Sequence, residues 1–534
     1  MQADGLQTIG YDHGDYNVVT NYVKGNNSYT VFAGANYSHV DGTETWNNEN
    51  YQFTQSLFDR ESYSKNSYRN HQEYMQFRYQ NQKGKRYWVG KFTLVNLSTP
   101  RNASSGFAKE STETDVFSNI RKKSLSPKID LNANLPLSKN QTLILGVHGK
   151  YSANSYHRLY QEQPFETMTD EDEKALSFQL SAIYNYFSQK HSLSMELFHY
   201  HDVWNADYSG NCELWQHLWK GESLAFFSYN FQASRRLSLK TRIGLDWLQY
   251  HLHGDNSFSQ LSPRINTNVQ YQLNKGMLLW SFNFVNSNHG MDVINRAMIQ
   301  VNSHMMEKGM PELKKSHDIN TYLYYMGRFN RLSVSAIGQF RYNHHPVTDD
   351  YYLDEANGKI VKTYSNGGNA QYYSAILALQ YKLCKFANLS GDIRYNHAEV
   401  KTTWSKHNNN LTGNLGLNMF MGDFALKPYL HFGKKSLDEA ALVISKTPID
   451  YGMSCSYSRG NLYVELQAAS PFKKQEKQYW LDLPIYSYSK SIKDQTASQY
   501  ASIKVAYSFD FGRKIQKVEK DVNKNINSSL LRVE

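Results

Sequence analysis

Apolar and polar residues alternate with a period of two along nearly the whole chain. Across residues 176–186, Leu176, Phe178, Leu180, Ala182, Tyr184 and Tyr186 fall on one side of an extended backbone. Ser177, Gln179, Ser181, Ile183 and Asn185 fall on the other. Residues 237–247 repeat the pattern, with Leu237, Leu239, Thr241, Ile243, Leu245 and Trp247 opposite Ser238, Lys240, Arg242, Gly244 and Asp246. So do residues 501–511, where Ala501, Ile503, Val505, Tyr507, Phe509 and Phe511 oppose Ser502, Lys504, Ala506, Ser508 and Asp510. Successive side chains of a strand point to opposite faces, so each segment predicts a ribbon with one oily wall and one wet wall.

The punctuation has two kinds that alternate. Short polar turns are predicted at 25–27, 82–85, 136–140, 188–189, 234–236, 274–275, 330–331, 383–385, 421–423 and 458–460. Longer stretches lie near 40–66, 97–120, 158–174, 203–216, 252–260, 288–317, 343–370, 400–406, 433–449 and 470–498. In outer-membrane barrels short turns face the periplasm and long loops face outside. With a first strand near 6–12, joined through 13–15, and a last one over 499–511, the pattern predicts about 22 strands with both ends periplasmic. The expected fold is all-β: a closed antiparallel transmembrane β-barrel over 1–511. A flexible periplasmic C-terminal tail is expected over 512–534, where mixed charge gives way to Asn and Ser. No blade-length repeat supports a propeller, and the strands are longer than those of a sandwich.

Composition sharpens this picture. There are 41 tyrosines and 11 prolines among 534 residues, with 14% aromatics. A Tyr ring can face lipid while its hydroxyl stays wet, which suits a membrane interface. The mean hydropathy of −0.66 excludes a helical membrane protein. A barrel strand needs an apolar residue only at every second position. The N-terminus, Met1-Gln2-Ala3-Asp4-Gly5, has no basic segment followed by an apolar one. An outer-membrane chain needs such a leader, so a truncated or processed sequence is expected. The net charge of +10 is spread thinly, without a basic cluster interleaved with aromatics, so no nucleic-acid partner is expected.

Candidate chemistry is sparse. Asp170-Glu171-Asp172-Glu173 falls in an expected outer loop and lacks the spacing of a calcium loop, so it reads as a solvated charge run. His199 and His201 share a strand face without a third ligand nearby and read as wet or rim-facing. His344-His345 stands at a strand end. Cys212, Cys384 and Cys455 suggest neither disulfide nor metal knuckle. No catalytic constellation stands out, so no enzyme, catalytic residue, metal or cofactor is expected. The residues expected to line the wet wall, and so to meet a ligand, are Lys240, Arg242, Asp246, Lys504 and Asp510.

Three segments carry a family resemblance. The final strand with Gly512-Arg513-Lys514, and the later Ser528-Ser529-Leu530-Leu531-Arg532, resembles the C-terminus of the barrel domain of Bacteroidetes-type TonB-dependent receptors. Leu261-Ser262-Pro263-Arg264 is similar to their P-x-L/I strand start. Lys308-Gly309-Met310-Pro311-Glu312-Leu313-Lys314-Lys315 resembles their G-N-P-x-L-K-P loop, with Met310 where Asn is usual and Lys315 where Pro is usual. The resemblance implies an outer-membrane receptor importing a large or scarce nutrient, such as a siderophore, cobalamin, glycan or peptide. It also implies TonB and a plug domain as partners. No plug is recognisable ahead of the first strand, so both would come from a missing N-terminal part. The alternatives are a plugless porin-like channel or assembly protein and, less favoured, an outer-membrane enzyme or adhesin.

Overall fold

In the computed structural model, residues 1–9, 11–54, 56–255, 257–287, 290, 292–472, 475–494, 499–509, 522–526 and 528–533 are described. Among them every regular element is a strand. Of the 26 strands that share one sheet, 22 close an antiparallel barrel and four form a tier above it.

Ten tight connections close one end of the barrel. They follow Lys24, Lys83, Ser138, Phe187, Gln232, Leu273, Phe329, Lys382, Met421 and Arg459, and all ten stand where the alternation of polar turns predicts them. Four pivot on Gly25, Gly84, Gly422 and Gly460, whose φ of 57–62° a side chain would strain. The seam is closed by Gln2–Ile9, which pairs with Asp12–Lys24 on one side and Tyr500–Ser508 on the other. Met1 and Phe509 exchange main-chain hydrogen bonds of 2.9 and 2.7 Å there, so strand 1 starts, and the last strand ends, at the tight-turn end. The first strand ends at Ile9 and the second starts at Asp12, ahead of the connection expected at 13–15. Asp12 and His13 already belong to a ladder with His39 and Ser38, and Thr8 Oγ1 accepts from the His13 amide at 3.0 Å to tie the turn.

The expected register holds around the wall. Ile243, Leu245 and Trp247 are about half exposed on the outer face, while Asp246 and Leu248 are buried inside. Ile503, Val505 and Tyr507 face out in the same way. Aromatic rings gather just above the tight turns: Tyr22 on Tyr29 and Tyr29 on Tyr79, Phe424 on Tyr457, Tyr507 on Phe509. Such a girdle below an apolar band marks a bilayer boundary. Closure pairs the backbone groups that hydrocarbon would leave unsatisfied, so the barrel spans a membrane.

The other end departs from expectation. The predicted loops near 40–66, 97–120, 158–174 and 203–216 are mostly strand. Leu57–Lys83 runs 27 residues and Asn27–Gln52 runs 26, roughly 90 Å of extended chain against an apolar band of about 25 Å. These extensions are mostly polar on both faces, so their periodicity carries little strand signal even though their ladders run on past the bulges. Bulges mark where the wall leaves the bilayer. The extra residue between Asp41 and Thr43, with Gly42 at φ 84°, turns the inward face of that strand from Thr30, Phe32 and Val40 to Glu49 and Tyr51.

Where barrel strands stop short, the upper tier fills in. Lys434–Asp438, Val443–Thr447, Gln475–Asp482 and Tyr486–Asp494 pair in sequence, and the last pairs with residues 44–51. The Asn408 side chain holds the opposite edge through the Lys435 carbonyl at 2.9 Å. Much of the expected loops over 433–449 and 470–498 is therefore wall as well, in these four strands.

The carboxylate run is corrected. It lies on Phe165–Phe187, and alternation splits it: Glu171 and Glu173 are buried inward, while Asp170 meets His157 at 2.5 Å on the other face. His199 and His201 stack on the exposed outer side of their strand, with His199 against Ser223. All three cysteines are free.

Candidate functional site

Two stretches expected as outer loops fold inward instead. Met298–Gln300, Met305–Lys308, Lys359–Ser365 and Thr348–Asp354 form a four-stranded sheet inside the barrel. Its apolar side chains supply the core. Met305, Tyr351 and Ile360 pack with Tyr51, Ala370, Val400, Leu442, Leu481 and Tyr486 of the surrounding wall. Ala297 and Ile299 pack with Ile120, Tyr156, Ala206 and Tyr208 of another part of it.

Buried charge clamps this inner sheet. The tip of its first hairpin is shaped by Asn302, whose Oδ1 accepts from the amides of His304 and Met305 at 2.9 Å. Its Nδ2 donates to the Tyr51 hydroxyl at 3.1 Å. Tyr51 and Tyr486 both donate to Glu49, at 2.8 and 2.7 Å. Arg60, 5% exposed, binds Glu49 at 2.7 Å and Glu162 at 2.9 Å and donates to Tyr160. His304 of the hairpin reaches Glu110 at 2.7 Å. Arg158 donates to the carbonyls of Gln300 and Val301 at 2.9 and 2.6 Å. A buried guanidinium between carboxylates satisfies the charges that desolvation would otherwise expel.

A second clamp holds the approach to the sheet. Lys315, fully buried, lies 2.8 Å from Asp246 on Leu237–Leu252, which also binds Arg264 at 2.5 Å. Tyr250 donates to the Leu313 carbonyl at 2.9 Å. Here the degraded loop motif and the expected lumen residue Asp246 meet, and the Lys that replaces the usual Pro makes the contact.

Within the sheet, Lys362 lies 3.2 Å from Glu307 and 3.4 Å from Asp349, and Tyr364 donates to Glu307 at 3.0 Å. Burial pushes Asp349 up to about 6, with Lys362 pulling it back and Glu307 pushing it further. Burial works against the Lys362 cation too, but Glu307 and Asp349 overcome it and hold its pKa above the usual lysine value.

Residues 512–521 lie outside the described ones, but 522–526 and 528–533 sit within the barrel, not beneath it. Val522 and Ile526 pack on Phe32, Tyr74 and Val95, and Lys128 donates to the carbonyls of Asn523 and Asn525 at 2.8 and 2.7 Å. Ser529, Leu530, Leu531 and Val533 are buried against the wall and the inner sheet. Leu and Val here find an apolar wall, and Asn and Ser find polar partners inside, which a tail in water would lack.

The sequence-expected lumen residues divide. Arg242 is tied to Glu196 at 2.5 Å and lies 3.5 Å over the Phe226 ring, and Asp246 serves the clamp. Lys240 is exposed on the same inward face and Lys504 is half-buried on its own strand, opposite Glu465. Asp510 lies outside the described residues. Arg60, Glu49, Glu162, Lys315, Asp349 and Lys362 were not foreseen as a group; the one signal for any of them was the motif around Lys315.

The chain matches no protein-family model and no curated protein sequence. Solved structures with the same architecture include a copper transporter, OprC, with 10% identity, a TM-score of 0.66, and coverage of 95% of this chain and 80% of that one. The FrpB iron transporter of Neisseria meningitidis aligns with 8% identity, a TM-score of 0.60, and coverage of 95% and 81%. The outer membrane transporter YddB of Escherichia coli gives 11%, 0.59, and 95% and 80%. The chain thus has the 22-strand barrel fold of these transporters.

Proposed function

We propose that this chain is an outer-membrane receptor and transporter barrel of the TonB-dependent type, which takes up a large or scarce nutrient. Its place is the bacterial outer membrane, with lipid as its outer partner. TonB and a plug domain complete it where a longer chain or a second protein supplies them. The observation that carries this reading is a lumen occupied in its upper part by an inner sheet held by two buried charge clamps. A passive channel needs an open bore, whereas a 22-stranded transporter keeps its lumen occupied and opens it on demand. Lys240 and Lys504, on the solvent-accessible inner face, are the best remaining candidates for ligand contact among the expected residues. Arg242 and Asp246 act through the structure they hold.

The test is the full chain in planar bilayers, joined to uptake in cells. Expected are low, flickering conductance and protonophore-sensitive accumulation of one compound from a panel of ferric siderophore, vitamin B12, maltodextrin and oligopeptide. A steady ohmic conductance with energy-independent entry would replace the receptor with a porin.

A further inference from the structure

The described tail is gripped mainly through its backbone. Glu173 accepts from both the amide and the hydroxyl of Ser529, at 2.7 and 2.5 Å. Asn295 donates to the Ser529 carbonyl at 3.0 Å, and the Tyr208 hydroxyl accepts from the Leu531 amide at 3.1 Å. Tyr156 donates to the Val533 carbonyl at 2.5 Å. Lower in the barrel Lys128 reads two more carbonyls. The consecutive Leu530 and Leu531 are each 2% exposed, so the chain is enclosed on both faces by Ile120, Ala206, Ala297 and Ile299.

Side chains that meet main-chain groups hold an extended peptide, and the apolar walls between them require apolar residues at the positions of Leu530, Leu531 and Val533. The fit also has a gap. Glu171, 1% exposed beside this tract, has both carboxylate oxygens without a hydrogen-bond donor, while Arg532 turns its guanidinium back to Ser528 at 3.1 Å. Burial pushes the Glu171 carboxyl up to about 8 against the pull of Arg532, Lys122 and Arg158, and a buried acid without a hydrogen-bond partner is costly, so the present occupant leaves part of the groove unmet.

We infer that the lumen tract formed by Tyr156, Glu171, Glu173, Tyr208 and Asn295 is a binding groove for an extended peptide, occupied in this state by the chain's own residues 528–533 as an exchangeable pseudoligand. A basic side chain or a further backbone amide facing Glu171 completes the site. This deepens the receptor reading by naming a ligand class. It rests on that reading only for access from outside, because binding in detergent needs neither TonB nor transport.

The experiment uses a chain lacking residues 522–534, whose folding is checked by heat-modifiable migration in gels. A fluorescein-labelled synthetic peptide of residues 522–534 is titrated and followed by anisotropy. Saturable binding is expected, at least about tenfold weaker for a scrambled peptide, for Glu173→Ala, or for the intact chain whose groove is filled. Absence of saturable binding to the folded truncated chain overturns the proposal. So does equal binding by the intact chain or of the scrambled peptide. Where the truncated chain does not fold, Leu531→Glu in the full chain expels the segment. Gain of peptide binding then supports the groove, and no gain rejects it. Loss of nutrient uptake alongside intact peptide binding would strike the receptor reading alone.

Discussion

At the scale of single residues, the lipid face was legible and the buried charges were not. Alternation needs only neighbours two apart, so Ile503 and Lys504 declare opposite faces from sequence. The structure bears this out, with Ile503 outward and Lys504 inward. Ile503→Arg is therefore expected to destabilise the barrel by about 2–4 kcal/mol near the midplane, and Lys504→Gln by much less, in folding titrations into lipid. The reverse order would shift the register by one. Arg60, by contrast, finds Glu162 across 102 positions of sequence, and no local pattern announces such a pair. Asp349 offers a second test. Its ordinary value of 3.8 rises to about 6 in the folded sheet. Below about pH 4 both states hold the proton and this group costs the sheet nothing. As pH rises through 6 the unfolded form gives the proton up more easily, and about 3 kcal/mol of docking stability is lost. Asp349→Asn should flatten that loss. Hydrogen exchange over residues 359–365, corrected for intrinsic rate, reads it; an unchanged pH profile in the variant would rule out Asp349 as the source.

Among elements, tight turns were legible because each needs local chemistry: a glycine at positive φ or a polar pair between two periodic runs. The outer extensions and the inner sheet were not. Residues 43–52 and 57–66 carry only scattered apolar residues, yet pair with each other throughout, so hydrogen bonding and cross-strand contact hold what hydrophobic pattern does not reveal. The inner strands are 3 to 7 residues long, too short to show a period at all. Their stability comes from docking. Arg60→Met would leave Glu49 and Glu162 buried without their cation, at a cost of about 3–5 kcal/mol. The expected outcome is local: the hairpin tip at 301–304 becomes cleavable by added protease while the barrel itself stays heat-modifiable. Adding Glu49→Gln and Glu162→Gln should restore most of the protection. If the tip stays resistant in Arg60→Met, the apolar packing of Met305 and Ile360 holds the sheet without the clamp.

For the whole molecule, the count of strands around the membrane followed from alternation of short and long connections, but the second tier did not. Six short strands at the seam leave one edge of Asn27–Gln52 without a barrel neighbour above His39, and four strands from later in the chain cover that edge from Glu44 upward. Nothing local tells residues 486–494 that their partner lies near residue 47. The two tiers share no ladder along most of the seam, so they should fail separately. Tyr486–Asp494 lies between two neighbours, and the amide of Ser489 is used by one or the other. Ser489→Pro removes that donor and crowds the ladder, which an interior strand does not tolerate. The upper tier is then expected to open, exposing 434–447 to protease. The lower barrel, closed through Gln2–Ile9 and Tyr500–Ser508, should keep its heat-modifiable migration and its melting temperature within a few degrees. Joint collapse of both tiers on this single change would mean that closure near residue 47, and not the seam at the tight-turn end, holds the cylinder shut.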